Sequence, residues 1–246
     1  MNNQQEKLSL LLFYRWKQSY KFYGILYLLY LLGCTPLLYT GSDEVWPRYE
    51  TFFDGSSPAG AFLIAFVCIV CYGIATLLVM QRKSNGLSRY MILPKSRVSF
   101  VISEIMMNMT AILLLLLLQA AVFYLGFRYY VSMATFYDVD HGLYLAISRN
   151  AFMRTCIPLT LTQLFILLSS IVTLSSLSVY LGLFFHKLTT LGVTIISLLV
   201  YLYVWLYPAG LSFSLERVLQ LLLMMVLFIG ILWCFQYQMK RNAYGG

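Results

Sequence analysis

Residues able to do chemistry are few in this chain and poorly placed for it. There are two histidines, His141 and His186, in separate polar breaks, and the reading below puts them on opposite sides of a membrane. Cys68 and Cys71 have the spacing of a redox pair, but they lie one turn apart inside a long apolar run rather than in a βαβ unit, so they read as packing or lipid-facing thiols. Asn108-Met109-Thr110 matches a glycosylation sequon but also falls inside an apolar run. The chain carries no H-E-x-x-H zinc pair, no G-x-S-x-G nucleophile turn and no G-x-x-x-x-G-K-[ST] phosphate loop. The expectation is therefore no catalytic residue, no metal and no cofactor held by this chain. Any ATP and Mg must be bound by a different polypeptide.

Two polar features remain. Glu104 stands seven residues beyond Arg97, with Asn108 one turn later on the same helical face, at a depth of about 10 Å from Arg97 at 1.5 Å per residue. An acid there needs a partner or water, so Glu104 is either a coupling residue or one half of an ion pair with a Lys or Arg. Thr162, Ser169, Thr173 and Ser176 recur at intervals of seven, four and three, which puts them on one stripe of a helix. Such a stripe lets membrane helices approach closely, or forms a mildly polar wall of a substrate path.

The elements that must position these groups follow from composition. The 246 residues are 61% apolar and 11% charged, with a mean hydropathy of +0.78, against roughly 45–50% and about 25% in soluble domains. A water-soluble fold is excluded, and the expected class is an all-α integral membrane protein. Roughly 20 apolar residues cross the hydrocarbon layer, and six stretches qualify as spans: Phe22–Tyr39, Ala59–Met80, Val98–Phe127, Cys156–Phe185, Leu188–Tyr207 and Val218–Gln236. Around them stand an N-terminal segment, residues 1–21, and a C-terminal tail, residues 239–246, with the transmembrane domain over 22–238. About twenty mostly polar or amphipathic residues precede the first apolar run and no small-residue cleavage site follows it, so a cleaved signal peptide is not expected. Cys34, Cys68, Cys71, Cys156 and Cys234 all lie in or beside apolar runs, so disulfides are not expected.

The net charge of +8 resolves into topology. With the N-terminus inside, the cytoplasmic pieces hold Lys7, Arg15, Lys17, Lys21, Arg82, Lys83, Arg89, Lys95, Arg97, Lys187, Lys240 and Arg241, which is 12 of the 17 cations. The opposite side holds 7 of the 9 acids. Both termini are then cytoplasmic in a multi-pass plasma-membrane protein, and no nucleic-acid partner is called for. Tyr39, Trp46, Tyr124, Tyr129, Tyr130, Tyr203, Trp205 and Tyr207 fall where an outer aromatic belt belongs.

The loop between the second and third spans is the most informative segment. Asn85-Gly86 signals a turn and Pro94 disfavours helix at Leu93, which leaves room for an amphipathic helix of about two turns. Its apolar Leu87, Tyr90, Met91 and Ile92 suit a membrane surface or a partner, and Arg89, Lys95 and Arg97 suit water or lipid phosphates. Physics alone equally allows a plain positive-inside anchor. Upstream, Leu8, Leu11, Leu12 and Trp16 share one side of Leu8–Lys21, with Arg15, Lys17 and Lys21 as cations, an in-plane interfacial pattern.

The run Arg89-Tyr90-Met91-Ile92-Leu93-Pro94-Lys95-Ser96-Arg97, followed at once by a long span, resembles the LP-x-[ST]-R region of ABC-2-type transporter permeases from bacteria. The order of elements resembles that family too, over most of the chain, whereas the motif covers about a dozen residues. The resemblance implies that Leu87, Arg89, Tyr90, Met91, Ile92, Leu93, Pro94 and Arg97 form a coupling helix docking onto a separate ATPase subunit, and that the N-terminal helix lies beside that subunit. It also implies a second permease copy, identical or related. One departure stands out: Pro208 to Arg217 is only ten residues, so a lid between the last two spans must be small, with Gly41–Pro58 and Arg128–Thr155 as the longer alternatives. The expected function is a permease subunit of an ATP-driven exporter moving amphipathic or hydrophobic peptides, such as bacteriocins or toxins. The rival is a non-transporting immunity or sensor protein of the membrane.

Overall fold

A computed structural model describes residues 2–35, 49–54, 58–82, 94–133, 142–184, 188–206 and 215–244. Among them there is no strand. In chain order the helices are α1 (Asn2–Gly33), α2 (Tyr49–Asp54), α3 (Pro58–Arg82), α4 (Pro94–Met133), α5 (Leu143–Arg149), α6 (Ala151–Cys156), α7 (Leu161–Phe184), α8 (Leu188–Leu206) and α9 (Leu215–Tyr244).

Four stretches of these helices are long and apolar enough to cross a bilayer: Pro58–Met80, Val98–Ser132, Leu161–Phe184 and Val218–Gln238. They contain the second, third and sixth expected spans and the greater part of the fourth. The other two are helical but do not qualify over the described residues. In α1 the polar sequence continues to Lys21, which leaves 22–35 as its apolar part, and residues 36–39 lie outside the described set. α8 ends at Leu206 and Tyr207 is outside that set.

Two boundaries differ from expectation. The N-terminal segment and the first span form one unbroken helix of 32 residues, because no proline interrupts it and the one glycine before its last residue, Gly24, sits mid-helix. The fourth span starts at Leu161, not at Cys156. The residue before a proline is pushed to extended geometry, and Ile157, which precedes Pro158, has φ −113° and ψ 105°. Chain that reads as one apolar run is therefore split into α6 and α7.

The helices turn large apolar side chains outward and bury several polar ones beside their apolar cores, an arrangement that lipid tolerates and water does not. Ile64 is 68% exposed and Val226 67%, while Glu104, Asn108 and Gln119, all on α4, are at most 3% exposed. Exposed apolar surface on this scale is a liability in water and ordinary in hydrocarbon. This is the make-up of an all-α membrane protein.

Packing falls into two compact units. The first comprises Met1–Gln18, Val70–Thr110 and Thr162–Gly246. Its core gathers Leu77, Phe100, Tyr180, Phe184, Ile231 and Phe235, with α8 packed against α9. Gly182 lets α7 approach α3 closely here: a Cβ at that position would stand 2.7 Å from Leu77 Cδ1 and 2.8 Å from its Cβ.

The second unit comprises Ser19–Ile69 and Ala111–Leu161. It is centred on Tyr49, whose ring meets Phe53, Phe123, Phe127 and Tyr130 at centroid distances of 4.9–6.0 Å, with Ala146, Ile147 and Met153 completing the cluster. The Tyr49 hydroxyl donates to the Phe123 carbonyl at 2.8 Å. The short helices α2, α5 and α6 pack together here. Asn150, between α5 and α6, caps the second of them by accepting from the Met153 amide at 2.8 Å. Arg149 pairs with Glu50 at 3.4 Å.

Candidate functional site

The buried polar groups of the first unit lie on α4 and the helices beside it. Glu104 sits one turn before Asn108, so both project from one face. A carboxylate in an apolar interior is costly unless paired and hydrogen-bonded. Arg15 of α1 meets that need: its Nε donates to Glu104 Oε1 and its Nη2 donates to Oε2 at 2.8 Å. The pair is a two-pronged fork, the strongest geometry available to these groups. Nη1 of the same guanidinium donates to Gln18 Oε1 at 3.0 Å. The side chains are 4% and 1% exposed.

The inward face of the early part of α1 is thereby set by a cation. Arg15 and Ser19 are buried there, Leu12 and Trp16 are half-buried, and Lys17 and Lys21 remain exposed. The sequence reading counted Arg15 with Lys17 and Lys21 among the cations of an in-plane helix; the demand of Glu104 for a counter-charge separates Arg15 from them and turns it inward. Leu8 and Leu11 lie outside the residues whose side chains are described.

One turn along α4, Asn108 Nδ2 donates to Ser178 Oγ at 2.9 Å, and Ser178 Oγ donates to the Ser175 carbonyl at 2.8 Å. A methyl group on Gly73 would stand 2.8 Å from Asn108 Oδ1. Gly73 of α3 therefore provides the space in which the amide sits between α3 and α7. Asn108 Oδ1 and Ser175 Oγ are buried without a hydrogen-bond partner.

The hydroxyl stripe on α7 is turned inward. Ser169 Oγ donates to the Ile166 carbonyl at 2.9 Å, Thr173 Oγ1 to the Ser169 carbonyl and Ser176 Oγ to the Val172 carbonyl at 2.8 Å. Thr173 and Ser176 have no exposed surface within the single chain, and Thr162 is half-buried. Thr173, Ser176 and Ser169 spend their donors on their own helix, the pattern of close helix packing.

The coupling-helix residues Leu87, Arg89, Tyr90, Met91, Ile92 and Leu93 lie outside the described residues. Pro94 opens α4, where its missing amide proton costs nothing, and Arg97 falls within the first turns of the same helix. Two buried groups escaped the sequence reading: Ser178, and the role of Gly73 in seating Asn108. The signal was present in Asn108 itself, since an intramembrane amide requires a polar neighbour on a facing helix.

No group of three or more His, Cys, Asp or Glu gathers among the described residues. The five cysteines are free. Burial pushes the Cys156 thiol, which precedes the span at Leu161–Phe184, up to about 12. What fold and site define is an all-α membrane protein whose long helices are joined internally by an ion pair and an amide-hydroxyl relay. No protein-family model, curated protein or solved structure matches the chain.

Proposed function

We propose that this chain is the permease subunit of an ATP-driven exporter of the ABC-2 type, with six spans, both termini cytoplasmic, and ATP hydrolysed by a separate ATPase that docks on Leu87–Leu93. The observation that supports the reading best is the Arg15–Glu104 fork. It ties the N-terminal helix to the helix that begins one residue after the docking loop. A push delivered at that loop would reach α4 through Pro94 and Arg97, and α1 through the fork, so both elements next to the ATPase would move as one. In this reading α1 and α8 belong to the first and fifth spans.

In this reading the apolar, sparsely charged interior suits amphipathic or hydrophobic peptides as cargo. Two copies, identical or related, enclose the path. The short helices α2, α5 and α6 supply the outer lid that the short break between α8 and α9, residues 207–214, leaves no room to build.

The test is purification of the tagged full-length chain from its native host. An associated P-loop ATPase, whose turnover in lipid vesicles responds saturably to an amphipathic peptide, is the expected result. Arg89→Glu should release that ATPase while leaving the permease folded. A chain that brings down no ATPase would overturn the exporter and favour the immunity or sensor reading.

A further inference from the structure

The cations of α1 have different fates. Arg15 is turned inward and neutralised by Glu104, whereas Lys17 and Lys21 are exposed. Among the described residues neither lysine has an ion-pair partner. The two lie four residues apart, so they leave the same face of the helix with Cβ atoms about 5–6 Å apart. That face continues in both directions. Tyr14, Lys17, Lys21, Ile25, Leu28 and Leu32 follow one another at steps of 3, 4, 4, 3 and 4 residues, which average the 3.6 of a helical turn. All six are exposed, Tyr14, Ile25, Leu28 and Leu32 by 55–62%. Gly24 falls on this face between Lys21 and Leu28, and a Cβ there would meet nothing within 4 Å. The face therefore has an open notch between its charged and its apolar parts.

We propose that this face of α1 binds one anionic phospholipid, with the phosphate held between Lys17 and Lys21, the glycerol at Gly24 and an acyl chain along Ile25, Leu28 and Leu32.

Charge selects the headgroup. Two ammonium groups on one face attract an anionic headgroup, whereas a zwitterionic one brings its own cation to the same place and gains less. Tyr14, beyond the lysines, puts an aromatic ring at the level of the headgroups, where such rings belong.

Length selects a lipid over a free anion. From Lys21 to Leu32 is eleven residues, or about 16 Å at 1.5 Å each. The hydrocarbon of one leaflet is about 15 Å deep, half of the ~30 Å layer. An acyl chain whose head rests at Lys21 thus covers the apolar part of the face to its end, and a soluble phosphate would leave that part bare. The Arg15–Glu104 fork lies on a different side of the helix, so Glu104 does not compete with the phosphate for the lysines. The site belongs to a single helix and holds whether or not an ATPase docks on the chain.

The test uses the full-length chain, purified in detergent, stripped of lipid and followed by native mass spectrometry with phosphatidylglycerol or phosphatidylcholine of matched acyl chains. Retention of one phosphatidylglycerol per chain, in preference to phosphatidylcholine and undisturbed by millimolar inorganic phosphate, is the expected result. Lys17→Gln and Lys21→Gln should each weaken that retention about fivefold, the effect of one Lys at an anionic surface, and Lys21→Arg should preserve it. Gly24→Leu, which fills the notch without meeting a neighbour, should weaken it too, with no fall in the unfolding midpoint. Arg128→Gln, which removes an exposed cation from α4, should change nothing. Equal retention of the two lipids, or a Lys17→Gln/Lys21→Gln chain that holds phosphatidylglycerol as the unmodified chain does, would overturn the site. So would displacement of the lipid by inorganic phosphate, or a second copy of the chain that cross-links through Leu28→Cys and excludes the lipid.

Discussion

Arg15 grips both carboxylate oxygens of Glu104 across 89 residues of sequence, and neither side chain has appreciable exposure. Removing one member leaves the other charged and alone. Glu104→Leu or Arg15→Met should each cost about 3–5 kcal/mol. The double change Arg15→Met/Glu104→Leu, which replaces the pair with apolar groups, should cost well under the sum of the two. Thermal unfolding of the four chains in detergent checks this as a double-mutant cycle. Additive losses would show that the fork contributes nothing as a pair.

Gly73 and Gly60 differ in what lies above them. A Cβ on Gly73 meets the Asn108 amide at 2.8 Å, and one on Gly60 meets nothing within 4 Å. Gly73→Ala should lower stability by about 1–3 kcal/mol through overpacking, and the added change Asn108→Ala should recover part of the loss by vacating the space. Gly60→Ala should be neutral or slightly stabilising, since alanine is the better helix former.

Tyr49 holds the second unit by ring and by hydroxyl. Tyr49→Phe deletes only the bond to the Phe123 carbonyl and should cost about 1 kcal/mol. Tyr49→Ala also empties a position enclosed by four aromatic rings and should cost about 3–5 kcal/mol. Denaturation midpoints of the two variants should fall in that order.

Burial raises the Cys156 thiol to about 12, so in the folded chain it stays protonated across neutral and mildly alkaline pH. The thiolate is the reactive form. Alkylation at pH 8 should therefore spare Cys156 in the folded chain and reach it at an ordinary rate in denaturant, read by peptide mass. The sign for stability follows: a thiol whose pKa rises on folding favours the folded state below its unfolded value, near 9, and that contribution fades as pH climbs from there towards 12.

Membrane class, helical content and the placement of the four qualifying spans were legible in the sequence because they rest on composition and run length. Hydrocarbon leaves a polar backbone no option but internal hydrogen bonding, so an apolar run of some twenty residues specifies a helix without reference to anything else in the chain. The break before Leu161 was legible as well, in Pro158, had the proline been weighed above the apolar run around it. Partner choice was not. Glu104 announces that it needs a cation, yet several Lys and Arg lie at similar depth, and only the packing of α1 against α4 selects Arg15. Asn108 similarly announces an amide in need of a neighbour. That Gly73 makes room for it and Ser178 receives it depends on the register between three helices, which residue spacing within one helix does not contain.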